Sequence, residues 1–479
     1  MHAAEERQEQ GWEETAVQNF KRFLVMKTIS HDGPTNGAYQ EAALFLSDLC
    51  RELVPLFASA SPSKEKDDFC SVRVLDPLGK GKPIVLATFK GRDESLPSVL
   101  LNGHYDVVAA MDEKWDTDPF EPFENEQGDI FARGTQDMKC VCIQYLEALR
   151  LFLSARRKQQ QQQQQQQEEE EEEEESRPFL RTIHVSFVPD EEIGGKEGMA
   201  LLVQDEKLMK ELNIGVALDE GLASPNDDFT VFYGERATWW CRVRATGPTG
   251  HGSRLVKNTA MEKLIRVVQH FLDYRAEQEA RLDGHGCQHA VAKKEKLGDV
   301  TTINLTMLKG GVTTDGGKTY AYNVIPSEAE AGFDIRIPPT IPLPEFEAMI
   351  QGWIASSLSS SSSSSSNKKE DEGSITYEFA QKAERHSITS INPEENPWWK
   401  TFHSFLKEEA KLSVVPEIFP AGTDSRYLRW ADIPSFGFSP INNTPILLHD
   451  HNEFLNRKTF VRGVEIYAGL IAALANQPQ

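Results

Sequence analysis

Apolar residues along this chain follow two rhythms, and the change of rhythm divides it. Early on, short continuous apolar runs alternate with longer amphipathic stretches. "SVRVLDP" and "PIVLATFKG" read as strands, "PSVLLNGHYDVV" as a strand buried on both faces, and "TNGAYQEAALFLSDLCREL" as a helix. A helical pattern from Met138 to Leu153, the strand "RTIHVSFVPD", a helix near Gly198–Leu212 and the strand "IGVALDEG" follow. Strands alternating with helices in this way predict an α/β layer, a mostly parallel sheet covered by helices.

From about Tyr233 the order changes. "TWWCRVRATG" reads as a strand and "TAMEKLIRVVQHFLDYRAEQ" as a helix with apolar residues at Met261, Leu264, Ile265, Val268 and Leu272. "VTTINLTMLKGG" is a strand, "AYNVIPSEAEAGFDIRI" adds two more, and a helix around Phe346 leads to the strand "SITYEFA". The sum, βαββαβ, predicts an inserted ferredoxin-like domain. From "PWWKTFHSFLKEEAKL" onward the α/β style resumes, so the expected boundaries are 1–232 and 384–479 for one domain and 233–383 for the insert.

Two low-complexity tracts interrupt these patterns. Gln159–Gln167 with Glu168–Glu175 follows the Met138 helix, and Ser359–Ser366 precedes "SITYEFA". Such segments bury too little surface to offset ordering entropy, so both are expected as surface insertions away from any site. The glutamate run carries eight of the 23 net negative charges, leaving 15 for the rest of the chain. That balance disfavours nucleic acid as a partner. No apolar run reaches membrane-spanning length, and the charged start "MHAAEERQEQGWEE" lacks the apolar centre of a signal peptide, so a cytoplasmic location is expected. The six cysteines form no CxxC pair, which argues against disulfides and thiolate metal sites.

Polar residues collect at the carboxyl ends of the α/β strands, where open sheets place their sites. His104 and Asp106 in "GHYD" lie two apart on a strand, hence on one face. A satisfied strand-end histidine is the ordinary alternative. Asp137 precedes a helix and would serve equally as its N-cap. Glu191 and Glu192 are adjacent in "VPDEEIGG", Glu220 follows Asp219 in "ALDEG", and "LLHDHNE" offers His449, His451 and Glu453. Two histidines with three carboxylates suit zinc better than magnesium, and a shared carboxylate would let five ligands serve two metals. Adjacent glutamates then make sense: with the strand ending at Asp190, a turn aims Glu192 at a metal and leaves Glu191 over its open coordination position as general base.

These segments, with "DPFEPF", "ARGTQDMKCVCIQYLEALR", "TGPTGHGSR", "AYNVIP", "NPWW" and "GTDSRY", resemble the N-acyl-L-amino-acid amidohydrolases of the zinc peptidase family that includes glutamate carboxypeptidase and carnosinases. The resemblance spans nearly the whole chain, except for the low-complexity tracts and an insertion, "TTDGGKTY". It implies two zinc ions per subunit: one on His104, Asp137 and Glu220, and a second on Asp137, Glu192 and His449. His449 is preferred to His451 through the family's H-x-x-x-E pattern with Glu453. The resemblance also implies that Asp106 orients His104, that Glu191 is the base, and that the peptide bond Asp137–Met138 is cis. His251 would act across a homodimer to polarise the scissile carbonyl, with Asn323 and Arg336 holding the substrate carboxylate and Arg426 a further candidate. The implied reaction is hydrolysis of N-acyl-L-amino acids, the insertion before Asn323 being a place where substrate range could shift. A dizinc dipeptidase or carboxypeptidase is the nearest alternative, and a noncatalytic interaction homologue the more distant one.

Overall fold

The computed structural model describes residues 11–57, 69–164, 177–283, 295–359 and 373–478. The chain divides into two compact units, Met1–Tyr233 with Thr389–Glu417 and Thr423–Gln479, and Gly234–Ile388 with Ile418–Gly422.

The first unit is built on a sheet whose strands run in the order Cys70–Leu75, Ile84–Phe89, Ile183–Val188, Ser98–His104, Ile214–Asp219, Ser435–Phe438, Phe229–Glu235. Its centre is parallel, with antiparallel strands toward the flanks. Alternate side chains go to opposite faces. Val85, Val99, Leu101, Val185 and Phe187 join a core with the helices Trp12–Leu24, Ala38–Phe57, Lys139–Gln164 and Arg457–Ala475. Ile84, Leu86, Leu100, Val188 and Ala217 pack instead against Met199, Leu202, Leu208 and Leu212. Burial on both faces explains the continuous apolar runs.

Register determines what the sheet presents at its edge. His104 pairs with Val188, and Leu101 with both Val185 and Leu218. The three central strands therefore end together, bringing His104, the Glu191–Glu192 turn and Glu220 to one rim. A separate small sheet, ordered Phe454–Asn456, Asp129–Phe131, Phe123–Glu124, has no counterpart in the sequence reading. Its strands are too short to show a period, yet they tie the segment before Asp137 to the segment after His449.

The second unit carries the sheet Thr302–Gly310, Glu328–Ile337, Ala237–Thr246, Ile375–Lys382, antiparallel throughout, with the helices Ala260–Leu282 and Leu343–Ser359 sharing its core. This is the ferredoxin-like strand order. The first helix begins with a capping box between Thr259 and Glu262. Its buried stripe is Leu264, Val267, Val268 and Phe271, whereas Ile265 and Leu272 are exposed, so the expected apolar face was rotated by part of a turn.

Three other expectations need correcting. The helix starting at Lys139 runs to Gln164 instead of ending at Leu153, because glutamine propagates a helix nearly as well as the apolar residues before it. The helix near Gly198–Leu212 is two, broken where Asp205 caps the Leu208 N–H at 3.0 Å. The strand at Ser98 stops at His104, so Asp106 lies beyond it. Glu168–Glu175, Ser360–Ser366 and Cys287 fall outside the described residues; the five cysteines within them are buried and free. No described helix is long and apolar enough to cross a membrane.

His184, on a central strand, offers a test of the core. Thr88 Oγ1 lies 2.9 Å from its Nδ1, its Nε2–H donates to the Leu212 carbonyl at 3.0 Å, and burial depresses its pKa to about 4. Below about 6.5 the unfolded chain binds a proton here that the fold refuses, so stability falls as pH drops from 6.5 toward 4. Between pH 7 and pH 5 the His184→Gln protein should lose about 2 kcal/mol less unfolding free energy than wild type in urea titrations. Equal losses would remove His184 from the account.

Candidate metal centre and active site

His104 ends its strand with Nδ1–H donating to the backbone carbonyl of Asp106 at 3.0 Å. That bond turns Nε2 inward, 3.0 Å from Asp137 Oδ1 and 3.4 Å from Glu220 Oε2. His449 Nε2 approaches from the C-terminal segment, 3.2 Å from Asp137 Oδ2 and 2.8 Å from Glu192 Oε2. Two groups of possible metal ligands result, His104, Asp137, Glu220 and Asp137, Glu192, His449, with the donor atoms of each within 4.8 Å of one another. Asp137 belongs to both.

The paired glutamates owe their divergence to a tight turn. Their strand ends at Val188, Asp190 adopts a left-handed conformation at φ 66°, and Glu191–Ile193 form a single 3-10 turn. Asp106 closes it: its carboxylate accepts the N–H groups of Glu191 and Glu192, each at 3.2 Å, and the Ser30 hydroxyl at 2.9 Å. Asp190 is held in turn by Lys82 and by the Tyr39 hydroxyl at 3.1 Å. Glu192 then faces His449, while Glu191 Oε1 lies 4.0 Å from Arg426 Nη1.

Electrostatics follow from burial. Desolvation, reinforced by Glu220, pushes Glu191 well above the usual carboxylate range, and desolvation with Asp137 raises Glu192 to about 7. Burial would also raise Asp137, but hydrogen bonds from His104 and His449 outweigh it and hold that carboxyl far below normal. Burial opposes protonation of His104, yet Glu220 and the other carboxylates drive its pKa well up; hydrogen bonds to Asp137 and Glu192 push His449 to about 10. The carboxylates thus demand positive charge, and two divalent cations on the same donor atoms would supply it. Imidazole and carboxylate together suit zinc.

Residues 100–180 and 170–473 match the model of peptidase family M20/M25/M40. The chain belongs to peptidase family M20/M25/M40. Aminoacylase-1 of Dictyostelium discoideum is 48% identical over 83% of this chain and 87% of its own length. Aminoacylase-1 of Mus musculus is 45% identical over 97% of both chains. Among solved structures, the di-peptidase Dug1p of Saccharomyces cerevisiae matches with TM-score 0.62 at 16% identity, covering 97% of this chain and 96% of its own. A Bacillus subtilis dinuclear metal-binding peptidase of the M20 family matches with TM-score 0.57 at 12% identity, covering 97% and 98%. These two likenesses concern the fold. Membership makes the chain a metal-dependent amide hydrolase.

In this M20 chain the remaining expected residues are placed as follows. Within the second unit His251 and Asn323 are neighbours: His251 pairs with Val324, and the Gly252 N–H donates to the Asn323 carbonyl at 2.7 Å. The exposed His251 ring has Nδ1 2.8 Å from Ser253 Oγ. Arg336 forms a two-point pair with Asp334 at 2.7 and 3.0 Å and reaches Thr238 Oγ1 at 2.9 Å. Arg426, in the first unit, donates to the carbonyls of Thr423 and Gly194, each at 2.8 Å, and stacks on Tyr427. Asp219, beside Glu220, ends its strand buried, accepting from Asn102 at 3.0 Å and Ser425 at 2.7 Å. Asp137–Met138 is a trans bond, the ordinary state of a non-proline peptide, so the cis expectation does not hold.

Other residues at the site escaped the sequence reading. Asp424 is buried with no hydrogen-bond partner for either oxygen among the described residues, and desolvation raises it well above normal. Lys82 and Tyr39, which secure Asp190, are distant in sequence and carry no local motif. Glu453 was noted only as part of a spacing, and Gln136 not at all.

The two C-terminal histidines can now be separated. His449→Ala should lower the divalent metal retained per chain, measured by elemental analysis after gel filtration, whereas His451→Ala should leave it unchanged. Equal losses in two folded variants would show that the two histidines are not distinguished by the geometry above.

Proposed function

We propose that this chain is a dizinc N-acyl-L-amino-acid amidohydrolase, splitting its substrate and one water into a carboxylate and a free L-amino acid. The observation that carries the reading is the pair of ligand groups joined at Asp137, with the buried Glu191 beside them and in neither group. His104, Asp137 and Glu220 would hold one zinc and Asp137, Glu192 and His449 the other. When bound, the two cations would acidify the attacking water and stabilise negative charge developing on the scissile carbonyl oxygen. Asp106 keeps the His104 ring oriented through its backbone carbonyl and keeps Glu191 in place through its carboxylate.

Glu191 takes the proton of the attacking water and passes it to the leaving amine, so the base is regenerated as the amide bond breaks. Burial favours this by keeping bulk water away from the proton as it is transferred. His251 would polarise the scissile carbonyl in the partner subunit's site of a homodimer. Asn323, Arg336 and Arg426 are the proposed contacts to the substrate carboxylate, the planar arginine fork suiting a two-point bond. A cytoplasmic location is part of the same reading, supported by buried unpaired cysteines.

Identity of 45–48% to proteins named aminoacylase-1 favours N-acyl amino acids over dipeptides. A panel of N-acetyl-L-methionine and related N-acyl amino acids against dipeptides tests this, with the acyl compounds expected to show the higher kcat/KM; preference for dipeptides would move the chain to the dipeptidase alternative. Glu191→Gln should retain both zinc ions yet lower kcat by at least about 10²-fold, because a base is not a ligand. Zinc lost together with activity would put Glu191 among the ligands.

The dimer reading has its own test. Mixing inactive His251→Ala and Glu191→Gln chains should restore up to roughly a quarter of wild-type activity, as half the dimers are mixed and each has one complete site. No recovery after confirmed subunit exchange would put His251 outside the partner's site.

A further inference from the structure

His104 and Glu220 reach the centre from the ends of neighbouring parallel strands, and Glu192 from a turn beyond a third that Asp106 pins, so sheet and turn set their spacing. Asp137 and His449 do not. They arrive on two loops more than 300 residues apart in sequence, and something must hold those loops in register.

Glu453 lies between them with no exposed surface. Its Oε2 accepts Arg133 Nη1 at 2.8 Å and the Gly134 N–H at 3.1 Å; its Oε1 accepts the Gln136 N–H at 2.6 Å and the Asp137 N–H at 3.3 Å. One carboxylate thus gathers the backbone of the whole turn that delivers Asp137. Its own carbonyl takes the Ala132 N–H at 3.2 Å. Gln136 answers from the other side: its amide donates to the carbonyls of Pro445 at 3.1 Å and Phe454 at 2.9 Å and accepts the Leu447 N–H at 3.0 Å. Those three residues bracket His449, itself held in a left-handed conformation at φ 62°. A non-glycine residue pays a conformational penalty there and keeps that shape only where its surroundings enforce it.

We infer that Glu453 and Gln136 are positioning residues forming a latch that sets the separation of Asp137 and His449, and hence the strength of the zinc site containing both. Glu453 is therefore not a spare ligand: its acceptor positions face an arginine and three backbone N–H groups. Glutamine at this position would turn an N–H₂ toward donors and open the latch from one side. Leucine at 136 would remove the three bonds on the other side without changing any charge.

The inference rests on the two-zinc reading, and the experiment separates the two. Metal-free wild type, Glu453→Gln and Gln136→Leu proteins are titrated with zinc against a competing chromogenic chelator, with folding monitored by circular dichroism and Tm. Wild type should take up two zinc ions in resolvable steps. In each variant one of the two binding constants should fall relative to the other, by about 10–100-fold for Glu453→Gln, the range found when a group supporting a ligand is removed. General destabilisation would lower Tm without changing that ratio. Wild-type constants in the folded variants, or a proportional fall in both constants, would overturn the latch. If Glu453→Gln does not fold, Gln136→Leu decides by the same criterion. A wild-type chain that binds only one zinc would overturn the two-metal reading and this inference with it.

Discussion

Burying like charges together is the constraint on which the first unit is built. Asp137, Glu191 and Glu220 are each less than a tenth exposed, the side chain of Glu192 is 3% exposed, and all four surround two imidazoles. Taken from water without compensation, such carboxylates would protonate or push apart. Their shifts show the tension: Glu191, Glu192 and Glu220 rise, while Asp137, hydrogen-bonded to both histidines, falls. Cations would relieve the repulsion, but only if the donors already stand where a cation can use them. The scaffold must therefore hold repelling groups in place.

It does so with more carboxylates. Asp106 accepts two successive backbone N–H groups of the Glu191–Glu192 turn, and Glu453 accepts three from the turn that carries Asp137. An ionised acceptor on backbone donors makes a bond roughly twice as strong as a neutral one, and it fixes main chain instead of a rotatable side chain. Each cap works beside a strained residue, Asp190 at φ 66° and His449 at φ 62°. Left-handed backbone costs such residues about 1–3 kcal/mol, and the caps with their neighbours supply the opposing restraint. The inward-facing glutamates and the inward-facing histidine are the local result of that balance.

This division explains what could be read in the sequence. His104 and Glu220 were legible because a buried strand announces itself by an apolar run, and whatever polar residue ends it lies at the rim of the sheet. The adjacent glutamates were legible as a problem, and their solution required only a turn. Asp137 and His449 were assigned through a family resemblance, since an aspartate before a helix is ordinarily a cap and nothing local separates His449 from His451. Asp106 was read as a strand residue because the apolar pattern continues through Val107 and Val108, beyond the point where pairing ends at His104. Glu453, Gln136, Lys82 and Asp424 have roles or surroundings set by partners distant in sequence. No period or spacing carries that information.

The segment before Asn323 shows the opposite case, a stretch whose order is set by bonds close by in sequence. Residues 313–320 depart from the family pattern just where a proposed substrate contact is delivered, so a displaced loop was a reasonable expectation. The segment itself closes through its own hydrogen bonds. Asp315 accepts the N–H groups of Lys318 and Thr319 at 3.0 and 2.9 Å and the Thr313 hydroxyl at 2.8 Å, with Gly316 and Gly317 at positive φ making the bend. The Ala321 N–H then donates to the Val312 carbonyl at 2.9 Å, so the chain leaves the insertion close to where it entered. Lengthening a loop whose ends already meet adds little closure entropy, about 0.6 kcal/mol per doubling. Val324 and Ile325 pair with His251 and Gly250, and the Asn323 carbonyl accepts the Gly252 N–H.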